Sequence, residues 1–87
     1  MGAAVTLYTT RFCPYCIGAK SLLDSKGVAY REIAVDNDPG LRQEMMTRSG
    51  RRTVPQIWVG ERHVGGFDDL RALEAVGQLD ELLEAVR

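Results

Sequence analysis

A β-rich run at residues 4–9, AVTLYT, is followed almost at once by a helical pattern and then by a second β-rich run. This order constrains the fold more than any other feature of the chain. The first run alternates, with Val5 and Leu7 on one face and Thr6 and Tyr8 on the other, as a strand requires. From Tyr15 to Ser25 the residues Ala19, Leu22 and Leu23 recur at helical spacing, and Gly27, just after Lys26, is a helix stop. Residues 28–35, VAYREIAV, read as the second strand. Two strands joined through one helix by short connections form a parallel pair with a right-handed crossover.

The remainder extends the same sheet. Asp38 is placed to cap a second helix that has Pro39 at its first position, Leu41 and Met45 four apart, and Gly50 as its stop. Residues 53–59, TVPQIWV, have strand composition. Pro55 nevertheless lacks the N–H that an interior ladder needs, so this position requires a special explanation. Gly60 gives a tight turn, and a short return strand ends at Gly65 and Gly66. Asp68 or Asp69 can then cap a third helix through Leu70, Leu73 and Val76. After Gly77 a fourth helix follows, with Leu79, Leu82, Leu83 and Val86 on one side. The expected order is β-α-β-α-β-β-α-α, an α/β chain whose four-stranded mixed sheet is flanked by helices. At 87 residues it is expected to be a single domain spanning residues 1–87.

Composition excludes several functions. The apolar share of 45% and charged share of 26% suit a soluble chain, and no apolar run reaches the roughly 20 residues needed to cross a bilayer. The first residues, MGAAVTLYT, lack a basic region followed by an apolar core and cleavage site, so the expected compartment is the cytoplasm and no membrane role is expected. Residues 1–52 carry 8 basic and 5 acidic side chains, and residues 53–87 carry 3 and 7. That asymmetry is too weak for nucleic-acid binding but leaves room for a small anionic ligand. Arg51 and Arg52 form the densest cationic cluster, although a short charge run most often marks a solvated turn.

The two cysteines, Cys13 and Cys16, flank Pro14 and Tyr15 at the first strand-to-helix junction. A permanent disulfide closing so short a loop would add little stability, and a zinc site would need about four ligands, whereas His63 is the one other strong soft ligand. Inert core cysteines fit the spacing poorly, which favours a redox centre. Cys13 occupies the N-cap position with Pro14 as the first helical residue, so the Tyr15 and Cys16 amides can turn back toward the Cys13 sulfur. Helix-terminal N–H groups and the positive end of the helix dipole favour a thiolate there, and Arg11 would act in the same direction. Cys16, inside the first turn, is then the more buried and less acidic resolving thiol. His63, Trp58, Met45, Met46, Tyr8 and Tyr30 read as surface or packing residues.

The segments CPYC, TVPQIWV and GGFDDL, in this order and at these spacings, closely resemble the glutaredoxins over nearly the whole chain, the bacterial dithiol class most of all. That resemblance implies a thioredoxin-like fold. It also implies reduction of disulfides, glutathione mixed disulfides in particular, with glutathione as co-substrate and no tightly bound cofactor or metal. It assigns Cys13 as nucleophile and Cys16 as resolving cysteine, with Tyr15 bordering glutathione. Thr53, Val54 and Pro55 become the segment, with a cis proline, that pairs with the cysteinyl unit, and an X-Pro bond tolerates the cis form at a cost of about 0.5–1 kcal/mol. Gly66, Phe67, Asp68 and Asp69 would receive the γ-glutamyl end, and Arg42 would meet the glycyl carboxylate. Many family members carry a lysine three residues before the nucleophile; here that residue is Thr10, and Arg11 supplies the neighbouring charge.

The partners so implied are glutathione and proteins that are glutathionylated or contain disulfides, acted on by a monomer. Two rival functions share these features. One is a redoxin fed by thioredoxin reductase and supplying ribonucleotide reductase; the Pro-Tyr interior and the charged groove positions favour glutathione instead. The other is an iron-sulfur carrier with Cys13 from two protomers and thiolates from glutathione, against which Pro14 and the competing Cys16 argue.

Overall fold

The computed structural model describes residues 4–85. They form β1 (Val5–Thr9), α1 (Pro14–Ser25), β2 (Tyr30–Ala34), α2 (Pro39–Ser49), β3 (Gln56–Val59), β4 (Arg62–Gly65), α3 (Phe67–Ala75) and α4 (Gln78–Ala85), in the expected order. The strands make one mixed sheet in the order β2-β1-β3-β4, with β1 parallel to β2 and antiparallel to β3, and β3 antiparallel to β4. This is a thioredoxin-like arrangement. Among the described residues no helix is long and apolar enough to cross a membrane.

Alternation along β1 explains the layering. Val5 and Leu7 join Ala19 and Leu23 of α1, Ile57 and Val59 of β3, Leu70 of α3, and Leu79 and Leu83 of α4 in the larger apolar cluster. Tyr8 faces the other way, into a smaller cluster with Val35, Trp58 and Met45 of α2. One face of the sheet is therefore covered by α1, α3 and α4 and the other by α2, and burial of these side chains supplies the main driving force. Tyr8, Tyr30, Trp58, Met45 and Met46 are packing residues, as expected. The buried Tyr8 hydroxyl is also anchored, donating to Glu44 Oε2 at 2.5 Å and accepting from Arg48 Nη1 at 2.7 Å.

Helix ends follow the sequence closely. Asp38 caps α2 by accepting the Leu41 N–H at 3.0 Å, and Gly50 ends that helix in the left-handed region at φ 71°. Lys26 closes α1 and pairs with Glu74 at 2.7 Å and Asp80 at 2.8 Å, tying this end to the last two helices.

Three expectations are corrected. The second strand starts at Tyr30 instead of residue 28; Val28 is buried but lies between α1 and β2. The third strand starts at Gln56, after Thr53, Val54 and Pro55, so the proline stands outside the ladder of an interior strand and no ladder bond is lost. The N-cap of α3 is Gly66, and neither Asp68 nor Asp69 takes that place; Asp69 sits in the first turn and its Oδ2 reaches back to accept the Gly66 N–H at 2.9 Å. Val86, expected on the apolar side of α4, lies outside the described residues.

Candidate active site

The site is assembled where α1, the segment before β3 and the start of α3 meet. Cys13 is the N-cap of α1, in extended conformation with φ −128° and ψ 103°, and Pro14 opens the helix. Of the two amides expected at the sulfur, that of Cys16 makes the bond, its N–H donating to Cys13 Sγ at 3.1 Å. From the other side the Cys13 thiol donates to the Val54 carbonyl oxygen at 3.8 Å. The Cys13 sulfur is thus held between a helix N-terminus and the Thr53–Val54–Pro55 turn, in which the Val54–Pro55 peptide bond is cis.

The two thiols differ in depth, both being free. Cys13 keeps 7% of its surface exposed and Cys16 1%. Burial, and next the contact with Cys13, push the Cys16 thiol up to about 12, although the Thr10 N–H works in the opposite direction. Near neutral pH Cys16 is therefore a buried, protonated thiol in contact with Cys13, the more buried and less acidic of the pair as expected. Phe12 and Tyr15 stand out beside Cys13, 90% and 62% exposed.

A cleft of about 520 Å³ opens beside Tyr15 and Val54, the latter bonded to Cys13 Sγ, although Cys13 itself does not line it. Tyr15 borders it, Thr53, Val54 and Pro55 form one wall, and Gly66, Phe67, Asp68 and Asp69 form another. Eight of the residues marked in the sequence are thus brought together. Arg11 and Arg42 are not among the residues that line this cleft. Arg11 belongs to a separate groove, its amide N–H donating to Asp36 Oδ2 at 3.2 Å and its Nε 3.7 Å from the same oxygen. Arg42 lies in the first turn of α2, where its N–H donates to the Asp38 carbonyl at 3.0 Å.

Two residues absent from the expected site do line the cleft, Arg51 and Arg52. Arg51 Nη1 lies 2.9 Å from Asp69 Oδ2, and the Gly66 N–H followed by this guanidinium holds the Asp69 carboxyl below the usual carboxylate range. The signal for them in the sequence is position: these arginines immediately precede Thr53, and a charge run beside the anomalous Pro55 segment differs from one on an arbitrary loop. Opposed arginines and aspartates suit a ligand carrying both carboxylate and ammonium groups.

Phe67 closes the floor of the cleft against α1. A Cβ at Gly18 would come within 2.8 Å of its ring, so the absence of a side chain at position 18 lets the ring approach the helix closely. Gly65, at φ 119°, plays a comparable part beside the ion pair: a Cβ there would meet Asp69 Oδ2 at 2.3 Å.

The glutaredoxin family model matches residues 5–64, which include both cysteines and the cis-proline turn. The chain belongs to the glutaredoxin family. It is 60% identical over 81 residues to a glutaredoxin of Pseudomonas aeruginosa, covering 93% of this chain and 96% of that one. To glutaredoxin 3 of Escherichia coli K12 it is 54% identical over 82 residues, covering 94% and 99%. The solved structure of a Brucella melitensis glutaredoxin superposes with a TM-score of 0.83 at 54% identity, over 94% of this chain and 89% of that one. A buckwheat glutaredoxin–glutathione complex superposes with a TM-score of 0.89 at 26% identity, over 97% and 79%. As a glutaredoxin of the Cys-Pro-Tyr-Cys class, the protein is a thiol–disulfide oxidoreductase.

Proposed function

We propose that the protein reduces protein–glutathione mixed disulfides with glutathione as electron donor, through Cys13 alone, and protein disulfides through Cys13 and Cys16 together. The observation that carries this reading is the position of Cys13, within sulfur hydrogen-bond reach of Val54 on the wall of a cleft that bears arginines and aspartates. A zwitterionic tripeptide with two carboxylates and one ammonium group fits that lining. The likeness to a glutaredoxin solved in complex with glutathione supports the same ligand.

In the first route the Cys13 thiolate attacks the glutathione sulfur of the mixed disulfide. The bond to the target sulfur breaks, the target leaves as a thiolate and takes a proton, and glutathione remains joined to Cys13. A second glutathione thiolate attacks that same glutathione sulfur, releasing glutathione disulfide and restoring the Cys13 thiolate. In the second route Cys13 first joins to a target sulfur. Cys16 then loses its proton and attacks Cys13 Sγ, so the reduced target departs and a Cys13–Cys16 disulfide forms. Two glutathione molecules reduce that bond in turn and leave as glutathione disulfide.

Val54 can pair through its backbone with an extended cysteinyl unit, as an added strand does. Asp68, at the start of α3, is available to the ligand ammonium, whereas Asp69 is already engaged by Gly66 and Arg51. We further take residues 1–87 to act as one domain and as a monomer, in the cytoplasm and without a tightly held cofactor.

The test is turnover of a glutathionylated peptide with glutathione, glutathione reductase and NADPH, followed by NADPH consumption. Cys16→Ser is expected to keep this activity and lose reduction of a protein disulfide, and Cys13→Ser to lose both. Turnover sustained by thioredoxin reductase while the glutathione system fails would overturn the reading.

A further inference from the structure

Thr53 is exposed, yet its backbone is pinned from inside the protein. Gln56, fully buried, donates from Nε2 to the Thr53 carbonyl at 2.9 Å and to the Thr53 hydroxyl at 3.2 Å. A carbonyl oxygen can only accept, so the amide nitrogen must face Thr53 and Oε1 must face the opposite way. There it meets His63 Nε2 at 2.7 Å. Because Oε1 is an acceptor, the His63 ring must carry its proton on Nε2. The ring itself is held in place: it lies on β4, stacked on Trp58 with centroids 4.6 Å apart. Burial, and then the Arg51 guanidinium, hold the imidazole below its usual range, so near pH 7 it presents one N–H.

The chain of bonds ends beside the nucleophile. In a trans peptide the C=O and N–H point in opposite directions. Turning the Thr53 carbonyl toward Gln56 therefore turns the Val54 N–H away from it, while the Val54 carbonyl faces Cys13 Sγ at 3.8 Å. The Thr53 carbonyl thus sets the plane that carries the Val54 N–H, a donor that a short extended peptide would pair with, while the Val54 carbonyl belongs to the next, cis peptide. From this geometry we infer that His63 is a positioning residue for substrate binding, acting through Gln56 on the Thr53 carbonyl to fix the direction of the Val54 N–H near Cys13. The inference rests on the glutathione-dependent reading given above and adds to it a residue some way along the chain from both cysteines.

His63→Phe keeps a ring against Trp58 and removes the donor, leaving Gln56 Oε1 buried and unpaired. The expected result is a rise in KM for a glutathionylated peptide of about three- to tenfold, larger than the fall in kcat. His63→Gln restores an N–H at the same reach and should return KM to within about twofold of the parent value, which a purely structural role for the imidazole ring would not allow. In the parent protein, long-range nitrogen–proton correlation spectra should show the Nε2–H tautomer of His63. The Nδ1–H tautomer would overturn the inference, whatever the behaviour of the variants. So would an unchanged KM in His63→Phe, or an equal loss of activity in both variants. If the parent itself failed to turn over the glutathionylated peptide, the functional reading would fall, and the tautomer would still decide the relay.

Discussion

The Cys16 amide donates to Cys13 Sγ at 3.1 Å, while the Cys16 side chain is almost fully buried. One residue therefore braces the Cys13 sulfur with its backbone and, in the dithiol route proposed above, displaces the target with its side chain. Its thiol is pushed up to about 12, chiefly by burial, so well below that value its thiolate fraction grows about tenfold with each pH unit. The resolving step is expected to accelerate steadily from about pH 7 to about pH 9. Stopped-flow release of a reduced target from a preformed mixed disulfide on Cys13 would measure it, and a flat profile over that range would contradict the assignment.

Asp69 ties the first turn of α3 to Gly66 and Arg51. Its carboxyl is held low, so the stabilisation is present above the ordinary carboxylate value and disappears as pH falls through the lower, folded-state value. Asp69→Ala should cost about 1 kcal/mol at neutral pH, as loss of a helix-terminal cap does. The difference from the parent should narrow toward about pH 2. Urea unfolding at the two pH values checks this; an equal difference at both would mean that the charge plays no part.

Gly18 and Phe67 set a choice between two effects. Alanine in a helix interior is favoured over glycine by about 0.8–1 kcal/mol, but overpacking costs about 1–3 kcal/mol, and the new Cβ would lie 2.8 Å from the ring. Gly18→Ala alone should therefore destabilise the protein and raise KM by moving the floor of the cleft. In a Phe67→Leu background the same change should become neutral or stabilising. Thermal unfolding of the four proteins gives the cycle, and additive effects would show that the ring and position 18 are not in conflict.

On the opposite side of the sheet, Tyr8→Phe removes a buried hydroxyl shared by Glu44 and Arg48. A loss of about 1–3 kcal/mol is expected, because two polar partners lose their common bond. Catalytic constants measured at a temperature where the variant remains folded should not change, since Tyr8 lies in the apolar cluster shared with α2 and away from the cleft.

The parts legible in the sequence are those whose cause is local. Asp38, Pro39 and Gly50 mark α2 because capping depends on residues a turn apart, and Cys13 with Pro14 marks α1 for the same reason. Pro55 signals an anomaly through its missing N–H, and the cis bond and the late start of β3 are its structural answer. The cap of α3 departs from expectation because an aspartate serves equally well as the N-cap or from the third helical position, and the choice is made by the approach of Gly66 and Arg51. Arg51 and Arg52 resemble a solvated turn until the chain brings Asp68 and Asp69 opposite them. The Gln56 relay is invisible in the sequence for the same reason, since its two ends come from a loop and a neighbouring strand.

The difference in depth between the two sulfurs governs more than acidity. With Cys16 1% exposed and Cys13 7%, both proposed routes pass every electron through the outer sulfur. Any stable adduct on that one atom, from an alkylating agent or from oxidation beyond the sulfenic acid, would silence both routes together. The inner sulfur would survive chemically intact but isolated.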